Sequence, residues 1–301
     1  MAKEKYDIVT DPIGFVTVEP KPSREELQAF YRDLYYQDES ARPLTYKDRY
    51  EPLEVEHLQL LASLSLYAIC AARPHWKEQP GTLLDIGCGE GFLLEQANAY
   101  GFSVTGIDFN SHAIASFFPH LEARLRTGDA FEILEKMSTS GEQYDVITLN
   151  NVLEHVIDPR ELLKLIRQSL KPGGLAQIFI PNDYSPLQMK ALELGHIDRD
   201  FWHCPPHHLN YFNAENLVKF VESSGYRSLD LYASFPIDLY LFHPGSNYVA
   251  DSKTGKDAHQ ARMHLDLLMA EAGLDRFHRA CQGLAGVHLG RGITILAEPV
   301  A

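Results

Sequence analysis

The 301-residue chain is poor in cysteine and short of positive charge. Its four cysteines, Cys70, Cys88, Cys204 and Cys281, stand far apart with no Cys-x-x-Cys pair. That spacing excludes a disulfide framework as the organising principle and predicts free thiols in a reducing cytoplasm. Lys and Arg total 27 against 41 Asp and Glu, a formal net charge of -14. A nucleic-acid backbone or an anionic membrane would favour the opposite balance, so neither is expected as a partner. Long apolar runs are missing as well. The longest, Leu58 to Ala72, is about 15 residues with Ser63 and Ser65 inside it, short of the roughly 18 to 20 that span a bilayer, and it reads as a buried helix. The opening MAKEKYDIVTDP lacks the apolar stretch of a signal peptide, so secretion is not expected. Internal repeats and low-complexity tracts are lacking too. What is present is an ordinary 45% of apolar residues, sufficient for a real core.

Along the chain, residues 1–78 read as a helical and irregular cap. Ser23 and Glu26 form a capping-box pattern ahead of Leu27, Phe30, Tyr31 and Leu34 at helical spacing, and the polar, aromatic stretch YYQDESARPLTYKDRY reads as a loop or lid. From residue 79 to the end, short apolar strands alternate with helices, the mark of a mostly parallel sheet covered on both faces. The expected strands are 82–86, 103–107, 123–126, 144–149 and 175–180, followed by 227–233 and 292–297. Asp158 as cap and Pro159 at the first helical position open a helix whose inner face is Leu162, Leu163, Ile166 and Leu170, ended by Pro172-Gly173-Gly174. Asn213 caps another, with Leu217, Val218, Phe220 and Val221 inward and Gly225 as its stop. Two segments break the alternation, 183–212 and 235–287, the latter with a helix from His259 to Ala272. Both are expected as caps over a site.

In LLDIGCGEG the glycines Gly87, Gly89 and Gly91 follow a buried strand and precede a helix. At the carboxyl edge of such a sheet, glycines let backbone approach a ligand with no Cβ in the way. A dinucleotide fingerprint places its third glycine one residue later, and Phe92 stands there, so the spacing favours a sulfonium nucleoside over NAD. Asp108, ending the second strand, is suited to accept from both hydroxyls of a ribose, which SAM and NAD share. Asp129, after the third strand, is suited to accept from an adenine amino group, with Ala130 and Phe131 against the ring. Each acid alone also reads as a loop or helix cap; the pair, each at a strand end, is harder to assign to chance.

With LLDIGCGEG, GIDFN, GDAFE, YDVITLNNVLEH and LKPGGLAQIFIPN taken together, the chain resembles the class I S-adenosylmethionine (SAM)-dependent methyltransferases, in particular the quinone-biosynthesis and polysaccharide-cluster group. The resemblance runs from Gly81 to about Ala233. It implies an α/β, Rossmann-like sheet with helices on both faces, a helical N-terminal cap, and inserts after the fifth and sixth strands. It implies SAM as cofactor, S-adenosylhomocysteine (SAH) as product, and a set of contacts. Asp85 and Gly87 go to the methionyl end, with Cys88 and Gly89 completing the loop. Asp108 goes to the ribose with Phe109 beside it, and Asp129 and Ala130 to the adenine. Asn150 goes to the cofactor-facing end of the fourth strand. Tyr35, Tyr36 and Arg49 are expected to close over the cofactor.

Methyl transfer from a sulfonium is an in-line displacement, so the protein supplies alignment and, for a hydroxyl acceptor, a base. The catalytic candidates are His155 in NNVLEHV and His207 and His208 in WHCPPHHLNYFN. For each a structural role also stands: Glu154-His155 as a loop anchor, and His208 as a support, which leaves His207 the freer group. His203, Cys204, His207 and His208 can be read as metal ligands, but the double proline constrains the loop and no further cysteine or carboxylate pair completes a set, so no metal is expected. Trp202, Tyr211 and Phe212 suit a ring-bearing small-molecule acceptor. The resemblance tilts toward a sugar-type hydroxyl; a phenol or quinone precursor, or a SAM-binding protein without turnover, are the other readings. Asp108→Ala is expected to weaken SAH binding by roughly 1–3 kcal/mol with the fold intact, as calorimetry would measure; unchanged affinity would remove Asp108 from the ribose.

Overall fold

The computed structural model describes residues 5–35 and 50–300. Where helix was expected at the N-terminus, the chain opens with a hairpin, β1 (Asp7–Thr10) and β2 (Val16–Glu19). Thr17 and Val18 of VTVE are both buried, so no in-and-out alternation marks the strand, and each strand is only four residues long and therefore weak as a signal. Helix α1 (Arg24–Tyr35) follows with the expected capping box between Ser23 and Glu26. Helix α2 (Pro52–Ala72) starts six residues before the apolar run, capped reciprocally by Glu51 and Glu54. At 21 residues it is long and apolar enough to cross a membrane. Here it packs against neighbouring helices and sends Leu64, Leu66, Ala68 and Ile69 into the core.

The alternating region runs β3 (Thr82–Ile86), α3 (Phe92–Tyr100), β4 (Ser103–Asp108), α4 (His112–Phe117), β5 (Leu125–Thr127), α5 (Ala130–Ser140), β6 (Tyr144–Asn150), α6 (Pro159–Ser169) and β7 (Leu170–Pro181). The expected third strand is shifted, because residues 119–124 form a 3-10 turn ahead of it. Helix α6 ends at Ser169, before the Pro-Gly-Gly rather than at it, and β7 begins at Leu170, where the chain already pairs with Tyr144. Its cap is as expected: Asp158 accepts from the amides of Arg160 and Glu161, both at 3.0 Å. The remainder is α7 (Pro186–Glu193), β8 (Asn210–Tyr211), α8 (Ala214–Ser223), β9 (Tyr226–Ala233), α9 (Gly255–Ala270), α10 (Leu274–Gly286) and β10 (Gly292–Pro299).

Seven strands form one sheet in the order β5-β4-β3-β6-β7-β10-β9. All pairings from β5 to β7 are parallel, and β10 runs antiparallel to both β7 and β9. Strand residues alternate between two cores. Leu84, Ile86, Ile107, Ile147 and Leu149 face α5, α6 and α8, while Leu83, Val104 and Val146 face α2, α3 and α10. This is the Rossmann-like sheet with helices on both faces that the sequence implied. The order reverses at β3, which has β4 on one side and β6 on the other, and that switch opens the crevice for a ligand.

The two breaks in alternation have different fates. Residues 183–212 join the N-terminal hairpin: β8 pairs with β2, and Trp202, Leu209 and Tyr211 form a separate core with Tyr6, Val18 and Leu241. Residues 235–287 hold two helices rather than one, and α10 packs on β9 as part of the main sheet's cover. Asp158→Ala should cost roughly 1 kcal/mol by orphaning two amides of α6; a urea titration would show a lower midpoint with an unchanged slope.

Candidate active site

The loop after β3 bends back at once: the amides of Gly87 and Cys88 both donate to the carbonyl of Ile107, at 2.7 and 3.1 Å. Gly87 has φ +69°, and a Cβ there would lie 2.6 Å from Val152 Cγ2, so only glycine lets this loop meet the one after β6. Above Gly89 there is open space. The loop amides are therefore spent within the protein, and the glycines serve by leaving room. Cys88, expected at the cofactor, turns the other way. Its side chain is buried in the core and burial pushes its thiol pKa up, so its thiol cannot face the crevice.

Asp85 is buried, its Oδ1 accepting the Thr148 hydroxyl at 2.6 Å. Burial pushes its pKa up to about 7; the Thr148 hydrogen bond opposes this, and the charge of Asp108 adds to it. Asp108 ends β4 and accepts from the Gly89 amide at 2.9 Å, so it braces the glycine loop; burial raises its pKa too. Phe109 beside it is 48% exposed. Asp129 caps α5 through one oxygen, Oδ1, which accepts from Phe131 and Glu132. The structural reading of that acid is thus realised, and Ala130 packs partly into the core behind it. Asn150 is the last residue of β6, partly exposed at the sheet edge.

Tyr36 and Arg49, expected to close over the cofactor, lie outside the described residues. Tyr50 donates to Glu90 in the glycine loop at 2.5 Å. Helix α1 carries Arg24 5.9 Å from the ring centre of Phe131 and Phe30 6.3 Å from that of His207. The two contacts lie six residues, about 9 Å, apart along the helix.

At the far end the three histidine candidates come together. The ring of His155 stands 4.8 Å from both His207 and His208, and the latter two stack at 4.9 Å. His155 Nδ1 lies 2.6 Å from the carbonyl of His207, which fixes its tautomer as the Nδ1 donor. Burial holds all three imidazoles neutral: it pushes His155 down to about 4, His208 to about 3, and His207 in the same direction. His203, weighed with them from the sequence, lies elsewhere, against Tyr211 and Asp200, and neither it nor Cys204 joins the group.

The sequence offered Glu154-His155 as a loop anchor, and the contacts around Glu154 are of that kind; the partners on the other side went unforeseen. Glu154 is buried and its carbonyl accepts from Leu209 and Asn210, which stitches the loop after β6 to β8. Burial pushes its carboxyl up to about 8. Asn210 donates to the carbonyls of Leu153 and Val156, at 3.2 and 2.7 Å. Asp183 is buried against Arg291 at 3.0 Å and stands 4.0 Å from His208. For those partners, only a polar residue between Leu209 and Tyr211 in HLNYF was a hint.

A family model described as methyltransferase domain matches residues 55–231, more than half of the chain. Over 122 residues the chain is 37% identical to a ubiquinone biosynthesis O-methyltransferase of Caulobacter vibrioides, covering 40% of this chain and 47% of that protein. A Pseudomonas syringae protein of the same name is 34% identical over 124 residues, 38% of this chain and 51% of its own length. The chain thus spans about half the length of the curated relatives it matches. The solved structure of a 1,6-didemethyltoxoflavin-N1-methyltransferase from Burkholderia thailandensis, with its acceptor and SAH bound, covers 98% of this chain and 100% of its own at a TM-score of 0.51 and 12% identity, a likeness of fold.

The hold on the histidine loop is open to test. Asn210→Ala should cost about 2–3 kcal/mol, because two buried carbonyls lose their donor. Denaturant titration would read it, and a loss under about 0.5 kcal/mol would mean that the contacts are incidental.

Proposed function

The chain belongs to the methyltransferase-domain family of SAM-dependent enzymes, and from that premise we propose that it moves a methyl group from SAM to the hydroxyl oxygen of a small aromatic acceptor. In this reading the cofactor lies over the open space at Gly89, its methionyl end toward Asp85 and Gly87. The ribose sits on Asp108 and the adenine between Phe109 and the Ala130-Phe131 turn, with Asn150 near the sulfur. An ammonium beside Asp85 offsets the cost of its buried charge, since an opposite charge favours the carboxylate that burial disfavours.

The observation that carries the reading is the convergence of His155, His207 and His208 at the end of β6, on the loop whose Val152 touches Gly87. The acceptor oxygen attacks in line, the O–CH3 bond forms as S–CH3 breaks, and SAH leaves as a neutral thioether. The acceptor's proton must go to this edge. His155 is fixed through Nδ1, and His208 is turned toward Asp183. His207, against Phe30 of α1, is therefore the imidazole at the acceptor's entrance, drawing the proton itself or through a group that it holds.

A phenolic hydroxyl suits this edge better than the sugar-type hydroxyl expected from the sequence. A polyol is gripped by exposed carboxylates and amides, whereas Glu154 and Asp183 are each 1% exposed. The walls are rings, Phe30, His155 and His207, which stack on an aromatic acceptor. The relatives named for ubiquinone biosynthesis support oxygen methylation on such a ring.

The test supplies labelled SAM with a panel of phenols and catechols and a panel of sugar nucleotides. Phenols should turn over at least about tenfold faster; the reverse order would overturn the acceptor class, and transfer to neither would overturn the reading. His207→Ala should lower kcat by about 100-fold while SAH affinity, read by calorimetry, stays the same. Full turnover in that variant would remove His207 from the chemistry.

A further inference from the structure

Among the described residues, one group of side chains has the makings of a metal site, and it is the histidine cluster. One ring nitrogen from each of His155, His207 and His208 lies within 4.8 Å of the others. Corners 4.8 Å apart have a common centre about 2.8 Å away, against about 2.0–2.1 Å for zinc to imidazole, so ring rotations of less than 1 Å close the shell.

Two further observations point to a cation. Glu154 is 1% exposed, and neither of its carboxylate oxygens has a hydrogen-bond partner. Its Oε1 stands 3.7 Å from His155 Nε2, on the opposite side of the ring from the Nδ1 that meets the His207 carbonyl. A buried carboxyl with both oxygens unsatisfied is costly whether ionised or neutral, and a bound ion is one of the few things that removes the cost. His208 Nδ1 is likewise buried without a hydrogen-bond partner, with Asp183 Oδ2 4.0 Å away. A ligating histidine held by a backbone carbonyl on its other nitrogen, with carboxylates just behind, is the usual build of an imidazole metal centre.

We propose that His155, His207 and His208, with Glu154 as a carboxylate ligand or close support, bind a divalent transition cation such as zinc. The donor set excludes magnesium and calcium as the preferred ions, because those want oxygen ligands. The role of the cation rests on the reading above that this edge faces the acceptor. A hydroxyl bound to it sheds its proton to water and attacks the methyl as an oxyanion, and the cation supplies the pull that neutral imidazoles alone supply weakly.

The experiment uses the full chain, purified without a histidine tag and stripped with chelator. Zinc is titrated by calorimetry, and bound metal is counted by elemental analysis after desalting. One equivalent per chain is expected. His207→Ala and His208→Ala should each weaken zinc binding at least tenfold, and Glu154→Gln by a smaller factor, with SAH binding as the check that each variant is folded. No stoichiometric zinc in the wild-type chain, or undiminished zinc in all folded variants, overturns the site. Cobalt substitution gives a second readout: a visible absorption band typical of a four-coordinate nitrogen and oxygen shell is expected, and a six-coordinate aqueous spectrum overturns it. Transfer to phenols that survives chelation unchanged sinks the cation and leaves the proposed function standing. Stoichiometric zinc in a chain that methylates no hydroxyl leaves the site standing and sinks the function.

Discussion

Asn210 is the constraint on which the functional end of the molecule depends. It is buried, and its amide reaches Leu153 and Val156 in the loop after β6, while its carbonyl oxygen accepts from Thr17 of the N-terminal hairpin at 3.0 Å and from Lys21 at 3.1 Å. Three segments far apart in sequence therefore share one side chain. Loop carbonyls without such a donor would be buried and unsatisfied, and the loop bearing His155 would not hold one position. The hairpin, which adds β1 and β2 to β8, exists in part to bring that oxygen's partners into place.

The same end of the sheet collects buried acids. Asp85, Asp108, Glu154 and Asp183 all have carboxyls raised by burial, and Arg291 offsets only Asp183 directly. Such an arrangement costs stability in the ligand-free chain and is characteristic of sites that await a positive partner. An ammonium-bearing cofactor at Asp85 and a cation at Glu154 would relieve it at two separate points. Helix α1 touches both parts of this edge, with Arg24 against Phe131 and Phe30 against His207.

The parts legible in the sequence are those set by neighbours. The turn after β3 follows from glycines two apart, and the caps at Asp158 and Asn213 follow from a side chain and amides two or three residues on. The N-terminal hairpin escaped because its strands are four residues each and their third partner, Asn210–Tyr211, has only two. The side chain of Cys88 turns into the core, where Gly106 across from it leaves room for the thiol, a direction that a place in a glycine loop does not reveal.

The sequence alone determined most strands of the sheet and the acids at their ends, because strand period, turn glycines and caps act over a few residues; the strand order and its switch point came from the structure. The tertiary structure alone decided that His155 meets His207 and His208, since the contact spans 52 residues and depends on β8 docking beside the loop after β6. It also decided that His203 and Cys204 stand apart from them, while the Glu154 carboxyl comes within 3.7 Å of His155. Convergence of that kind is set by how the chain closes on itself, and no local pattern of residues encodes which buried carboxylate is left without a donor.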